Sequence, residues 1–380
     1  MSLGTGFLRG TEILYSPGVD TVGRVLVQMR EVFGRDAEAA ATAVDAALRR
    51  GPVLLVPALD RAMRDAETVA GLGFGFLEIS VEQVSRLERF GERASALLGV
   101  ASLARDGHTR QAAVERLAER VDRLTTAFLI NRINDYVGPV ATLAAAAVEA
   151  RLRPELAGLL VACLPLIVRM GQWTRAKQAQ ERLLAFVRSS HPVVRGALWA
   201  GLTASDGEVV LRSAVLLAQL HRGTAEMERV LAAALAVREP RTRRWAARVA
   251  SDEKWTPAAV LHALAGRMAE DRMPAVRLVG LQGMAQRGEQ AAIERAAIDT
   301  NAEVRHQARV LLAKNFRPLD YRGVALGMLA EGTDRKVVIP ALALLSEFGR
   351  GEDRGVLERF AGDPRPAVAR EAVRALARLP

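Results

Sequence analysis

The stretch D-T-N-A-E-V-R-H-Q-A-R-V-L-L (299 to 312) decides the fold. Val304, Ala308 and Leu312 are spaced four residues apart in it, so a helix would place all three on one face. The small side chain of Ala308 between two larger apolar ones would let a second helix approach closely. The stretch therefore predicts an α-helix that packs tightly against a neighbouring helix.

The same pattern recurs six times between about residue 210 and the C-terminus. Its first positions, 32, 34, 28, 33 and 31 residues apart, are Val210, Thr242, Val276, Val304, Val337 and Val368. Four residues after each come Ala214, Ala246, Gly280, Ala308, Ala341 and Ala372, and eight after come Ala218, Ala250, Met284, Leu312, Leu345 and Leu376. A recurrence of this length predicts an α-solenoid of stacked antiparallel helix pairs.

Three strings carry a family resemblance: D-R-M-P-A-V-R-L-V-G-L (271 to 281), D-T-N-A-E-V-R-H-Q-A-R-V-L (299 to 311) and D-P-R-P-A-V-A-R-E-A-V-R-A-L (363 to 376). They resemble HEAT-type repeats of the short bacterial kind that also occurs in phycobilin lyases. The resemblance covers about 240 to 380 and is fainter from 191. The copy around Val337 departs from it, with Val338 where arginine is usual and Pro340 early in the helix. The resemblance implies an all-α fold and leaves the function open, because HEAT proteins share a shape rather than an activity.

The resemblance also implies a structural role for a series of arginines and aspartates. In such repeats an arginine of one unit pairs with an aspartate that precedes the helix of a neighbouring unit. The matching arginines are Arg243, Arg277 and Arg305, and the matching aspartates are Asp271, Asp299 and Asp363. A planar guanidinium suits such bidentate pairing, so we favour a structural ladder over a phosphate-binding stripe.

The composition is typical of closely stacked helices. It does not decide whether the positive net charge has a role in binding. Half of the 380 residues are apolar, 4% are aromatic, and the formal net charge is +10. Only four of the 53 basic residues are lysines. The basic excess falls mainly in 151–190 and 241–290. Solvated helix surfaces are our favoured interpretation, and contact with nucleic acid is the alternative.

The N-terminal half is less regular than the repeats. Residues 1–18 are rich in Gly, Ser and Thr and are expected to form an arm. Residues 19–190 are predicted to be helical, with a soft boundary near 190 before a HEAT-like solenoid over 191–380. Apolar spacings of three and four over 81–105 and 109–134 predict a long antiparallel helical hairpin, 81–134, which could equally pair with another chain.

The search for chemistry yields no catalytic, cofactor or metal site, so we predict a protein that is not an enzyme. The five histidines lack metal-ligand spacing, and Cys163 stands in an apolar run where a buried thiol is expected. The glycine-rich stretch 71–80 lacks the strand and the Gly-Lys-Ser/Thr of a phosphate loop. We expect a loop there, in which Phe74 and Phe76 pack on the solenoid or dock a partner.

Two stretches are candidate partner surfaces. The first, 240–256, combines tryptophans with cations, as binding hot spots do: Arg241, Arg244, Trp245, Arg248, Lys254 and Trp255. The alternative is that both tryptophans fill gaps between helices, with the arginines extended around them. The second and weaker candidate consists of Trp173, Arg175 and Lys177.

These observations favour a non-catalytic scaffold that binds another protein in a bacterial cytoplasmic complex. The N-terminus lacks a secretion signal, and the apolar run 156–168 is too short to span a bilayer. The alternative function is DNA binding, as in the HEAT-like alkylpurine DNA glycosylases, although no matching Trp-Asp motif is present. Chaperoning of a chromophore is a third hypothesis, which rests on the resemblance alone. The sequence gives no indication of the oligomeric state.

Overall fold

All regular secondary structure in the described part of the chain is helical. The computed structural model describes residues 19–65, 78–317, 319–332 and 334–380, and within them it contains no strand. The predicted all-α class is therefore confirmed. The predicted arm, 1–18, and the predicted loop residues Phe74 and Phe76 lie outside the described residues. The chain divides into two compact units, Met1–Leu220 and His221–Pro380.

The first unit consists of short helices, several of them interrupted by 3-10 turns. Its described α-helices are α1 Val19–Glu31, α2 Ala37–Arg50, α3 Leu55–Arg64, α4 Val81–Arg86, α5 Ala94–Ala101, α6 Gly107–Ala118, α7 Arg123–Arg132, α8 Gly138–Glu149, α9 Ala157–Ala162, α10 Leu164–Arg169, α11 Lys177–Val187, α12 Pro192–Gly201 and α13 Gly207–Leu220. Helices α11 and α12 pack with the preceding helices of this unit. The division at Leu220 therefore falls later than the soft boundary predicted near 190.

The prediction of two continuous helices over 81–105 and 109–134 is wrong. Gly91 interrupts the first segment with φ of 59°, a left-handed conformation that a continuing α-helix cannot contain. The second segment ends at Ala118 and restarts at Arg123, where the Asp122 carboxylate accepts a hydrogen bond from the Thr125 amide. The side-chain spacing persists across both breaks, which is why periodicity alone did not reveal them.

The same region instead repeats the pattern found further along the chain. Thr109, Ala113 and Leu117 on α6 are spaced as in the repeats and are at most 1% exposed. On α8, 31 residues later, Val140, Ala144 and Val148 follow the same spacing and are also buried. Helix α5 packs on α6, α7 on α8, and α6 on α8. Helix pairs of the repeat type therefore extend into the first unit.

The second unit is a series of helix pairs. Its described α-helices are α14 Glu226–Ala236, α15 Pro240–Ala250, α16 Ala258–Ala269, α17 Pro274–Gln286, α18 Gln290–Ala296, α19 Ala302–Asn315, α20 Tyr321–Glu331, α21 Arg335–Phe348, α22 Arg354–Ala361 and α23 Pro366–Leu376. Each even-numbered helix packs on the next odd-numbered one, and α15 packs on α17 and α17 on α19.

The predicted core positions account for this packing. The small residues at the second position of the pattern are all buried, as closely stacked helices require. The first positions are buried too, except that Val337 is half-buried and its neighbour Val338 is fully buried. Gly280 of α17 lies directly against Met268 and Ala269 of α16, and Gly283 lies against Ala265. The residue numbers of these contacts decrease along α16 as they increase along α17, so the two helices are antiparallel.

The predicted arginine–aspartate ladder is present for two of its three members. Arg243 pairs with Asp271 at 3.0 Å, and Arg277 donates two hydrogen bonds to Asp299 at 2.7 and 2.8 Å. Arg305 instead lies 3.6 Å from Glu347. Asp363 has no arginine at the usual place one repeat earlier, where Val338 stands, and pairs with Arg365 at 2.7 Å. Within the basic stretch 241–290, these internal pairs account for Arg243 and Arg277.

Candidate anion-binding pocket and partner surface

The two tryptophans of the 240–256 stretch have different environments. Trp245, on α15, is 4% exposed. Trp255 is half-buried at the turn before α16. The guanidinium of Arg222 lies 4.6 Å from the centre of its ring and donates a hydrogen bond to the Lys254 carbonyl at 2.7 Å. The sequence pattern did not single out Arg222.

The cations of this stretch lie mainly on its surface. Arg244 and Arg248 are exposed and one helical turn apart on α15, so they share one face. Arg241 precedes them on that face and pairs with Glu239 at 3.1 Å. Lys254 is exposed. The stretch thus combines a helix face that carries cations with a tryptophan whose ring is covered by a guanidinium. We call this stretch the α15 surface.

The second predicted stretch leads to a cavity in the first unit. Trp173 and Arg175 line an open cavity of about 460 Å³, whereas Lys177 is exposed and is not among its lining residues. The other lining residues come from the length of α3, from the ends of α7 and α10 and from the turn after α7: Pro57, Asp60, Arg61, Arg64, Asn131, Arg132, Asn134, Tyr136 and Arg169. We call this cavity the arginine pocket.

The arginine pocket contains five guanidinium groups and one carboxylate. Asp60 accepts a charged hydrogen bond from Arg132 at 2.5 Å and from Arg64 at 3.3 Å. Within the described residues no carboxylate lies within ion-pair distance of Arg61, Arg169 or Arg175. Burial, followed by the charge of Arg61, lowers the pKa of Arg169. The pocket is therefore strongly cationic and can bind an anion.

A buried ionic network supports one wall of the pocket. Asp135 is fully buried and accepts hydrogen bonds from Arg110 at 3.0 and 3.1 Å and from Arg132 at 3.0 Å. Arg110 also donates to the carbonyls of Ala104 and Arg105, in the way that Arg277 donates to the carbonyls six and five residues before it. The pair of Arg110 and Asp135 is thus a ladder member within the first unit.

Most residues of the pocket escaped the sequence analysis. The signal that was available is the run N-R-I-N-D-Y (131 to 136), which follows an apolar segment. Every described residue from Leu124 to Arg132 is buried. A helix buried on all sides that ends in an asparagine and an arginine places polar groups in the interior, where they require partners.

A second cavity, of about 650 Å³, has a structural explanation for its polar groups. It is lined by Glu78, Ser80, Gln83, Asp106 and Thr109, among others. Ser80 and Gln83 form a capping box at the start of α4, and Asp106 caps α6 through the Thr109 amide. That hydrogen bond also lowers the pKa of Asp106. Ser80, Gln83, Asp106 and Thr109 are thus already paired, so the cavity offers fewer binding groups than the arginine pocket.

The thiol of Cys163 is a structural group. It is fully buried at the bend between α9 and α10, and burial raises its pKa to about 12. We expect no reaction with Ellman's reagent at pH 8 in the native protein, and full reaction after unfolding in guanidinium chloride. The unfolded thiol ionises near its ordinary value of 9. Its contribution to stability should therefore be present below pH 9 and be lost as the pH rises towards 12. Fast labelling of the native protein would contradict this assignment.

Two further features concern the described residues as a whole. No group of three or more His, Cys, Asp or Glu side chains is arranged to hold a metal ion in the described ranges. None of the helices described is by itself long and apolar enough to cross a membrane. The segments Pro154–Ala162 and Leu164–Gln172 meet that criterion only as a pair bent by 71°.

Comparison with known proteins adds little to this description. No family model matches the sequence, and no curated protein matches it. Among solved structures, the chain is similar to a crystal structure of an engineered protein from the Northeast Structural Genomics Consortium. The sequence identity is 18% and the TM-score 0.26, over 93% of this chain and 98% of that chain. So low a TM-score supports no inference about function.

Proposed function

We propose that the chain is a HEAT-like helical-repeat scaffold that binds another protein in a bacterial cytoplasm and catalyses no reaction. The observation that carries this proposal is the α15 surface. Its exposed Arg244 and Arg248 stand beside a half-buried Trp255 that Arg222 covers. Arginine and tryptophan are the residues that contribute most to protein interfaces. Stacked helix pairs would present them with little ordering on binding.

The ladder explains why this surface is distinct from the rest of the second unit. Arg243 and Arg277, which are basic residues of the same region, are directed inward and paired with aspartates. Arg244 and Arg248 are directed outward on α15. Charge complementarity therefore favours a partner segment with acidic side chains around an apolar or aromatic one that packs on Trp255.

The test is capture of the partner by the tagged full-length chain from an extract of its own organism, with and without nuclease. We expect a stoichiometric protein that survives nuclease treatment. The double variant Arg244→Glu/Arg248→Glu should lower its affinity about tenfold or more, because it reverses two charges at the interface. The matched control is Arg354→Glu/Arg370→Glu, which reverses two exposed charges on α22 and α23 and should leave binding unchanged.

The competing function is DNA binding through the same arginines. It would appear as nucleic acid that co-purifies, disappears with nuclease and leaves no protein bound. Its affinity would fall steeply with added salt, because each phosphate contact releases counterions. That outcome, or equal capture by the variant and the native chain, would overturn the scaffold proposal.

A further inference from the structure

The charges of the arginine pocket are not balanced by the residues around it. Asp60 forms ion pairs with Arg132 and Arg64. The described residues provide no ion pair for Arg61, Arg169 and Arg175, and the first two lie close enough for the charge of Arg61 to lower the pKa of Arg169. The charges of Arg61 and Arg169 repel one another until an anion joins them. Like charges gathered at one cavity without a counter-charge are typical of a binding site.

The wall of the pocket also contains donors that lack acceptors. Asn131 is 4% exposed, and its Nδ2 has no hydrogen-bond partner in the described structure. The Nε of Arg132, which is 1% exposed, has none either. A buried donor without an acceptor is destabilising, because it has lost its hydrogen bonds to water and gained none in return. Both residues line the cavity, so a bound acceptor would lie beside these two donors.

The size and the lining of the cavity limit the class of ligand. A volume of about 460 Å³ lies within the range of small-molecule sites. One carboxylate would neutralise one guanidinium, whereas a polyphosphate group has enough charge and oxygen atoms for three. The half-buried Trp173 offers an aromatic side chain beside the cations. An extended nucleic acid would need cations along a groove, whereas these are gathered around one cavity.

We propose that the arginine pocket binds a nucleotide-sized anion that carries a polyphosphate group. Arg61, Arg169 and Arg175 bind the phosphate oxygens, and the Asn131 amide donates a further hydrogen bond. Asp60 holds Arg132 and Arg64 in place. This proposal concerns the first unit and stands independently of the partner surface on α15.

The arginines have a structural alternative that the test must separate. Arg61, Arg64 and Arg132 stand in the last turns of their helices, where a cation interacts favourably with the helix dipole. That role predicts lower stability when an arginine is removed, and no change in ligand binding. Arg175 lies between the 3-10 turn that ends at Gln172 and α11, so no helix end accounts for it.

The experiment is calorimetric titration of the full chain with pyrophosphate and with adenosine diphosphate. Adenosine and a single-stranded thymidine oligonucleotide serve as contrasts. We expect one saturable site for both phosphates, a change in tryptophan fluorescence that Trp173→Phe removes, and no binding of adenosine. Arg61→Gln/Arg175→Gln alters two exposed residues and should weaken binding about 10- to 100-fold, as expected for lost hydrogen bonds to a charged group.

The control is Arg182→Gln, which removes one charge from an exposed ion pair with Glu149 in the same unit. It should bind both phosphates as the native chain does. Circular dichroism checks that each variant is folded. The proposal is overturned if neither phosphate binds at millimolar concentration, or if the double variant binds as tightly as the native chain. It is also overturned if the oligonucleotide binds more tightly than adenosine diphosphate through the same residues.

Discussion

Replacing Asp135 by alanine is expected to lower the free energy of unfolding of the first unit by about 3–5 kcal/mol. Asp135 is fully buried between Arg110 and Arg132, which are themselves 2% and 1% exposed. It also accepts a hydrogen bond from the Val137 amide at 2.9 Å. Its removal would leave the buried Arg110 guanidinium without a carboxylate and would leave Arg132 with Asp60 as its remaining carboxylate partner. The penalty arises from the buried charge of Arg110 that is left unpaired rather than from the lost attraction alone.

The measurement is urea unfolding of the full chain, followed by hydrogen exchange of peptides from residues 94–149. The matched control is Glu155→Ala, which breaks the pair with Arg153 in the same unit. Both side chains of that pair are more than half exposed, so the control should change stability by less than about 1 kcal/mol. Asp135→Asn keeps an oxygen for the Val137 amide and should fall between the two. Equal shifts for Asp135→Ala and Glu155→Ala would contradict the role given to the network.

This network illustrates why the repeats of the first unit were missed in the sequence. Arg110 follows Thr109, as Arg243 follows Thr242 and Arg277 follows Val276, and in each case a small residue comes three positions later. The heptad-like spacing of the same segment was also consistent with a long hairpin. Apolar spacing fixes which face of a helix is buried. It does not fix where the helix stops, and here Gly91 and Asp122 decide that.

The arginine pocket could not have been predicted from spacing at all. Asp60 and Arg169 are more than 100 residues apart in the chain, and they line one cavity because α3 and α10 both pack on α7. By contrast, the ladder could be predicted because its members recur at a fixed interval within adjacent repeats. The sequence also contains the reason why Asp363 lacks a ladder partner, because Val338 stands where the pairing arginine would be.

Replacing Gly280 by alanine is expected to destabilise the second unit by about 3 kcal/mol. A Cβ atom at this position would lie 2.7 Å from the carbonyl carbon of Met268 and 2.8 Å from the Cα of Ala269. Both are backbone atoms of α16, so no side chain can turn away to make room. The helices would have to separate, which would loosen the contact of Gly283 with Ala265 as well. Overpacking of this kind typically costs about 1–3 kcal/mol, and an immovable backbone places the site at the upper end.

The same substitution at Gly327 provides the matched control and should have the opposite sign. Gly327 lies inside α20, and apart from its chain neighbours and the nearby backbone of α20 no atom of the described residues comes within 4 Å of the place that a Cβ atom would occupy there. Alanine at this position should raise stability by about 0.5–1 kcal/mol, because it restricts the unfolded chain and favours the helix. In thermal unfolding, Gly280→Ala should lower the midpoint of the second unit by about 6–12 °C. An upward shift of the midpoint in both variants would contradict this prediction. Close contact between α16 and α17 would then not be the reason for glycine at position 280, and the small residue at the second position of the repeat would need another explanation.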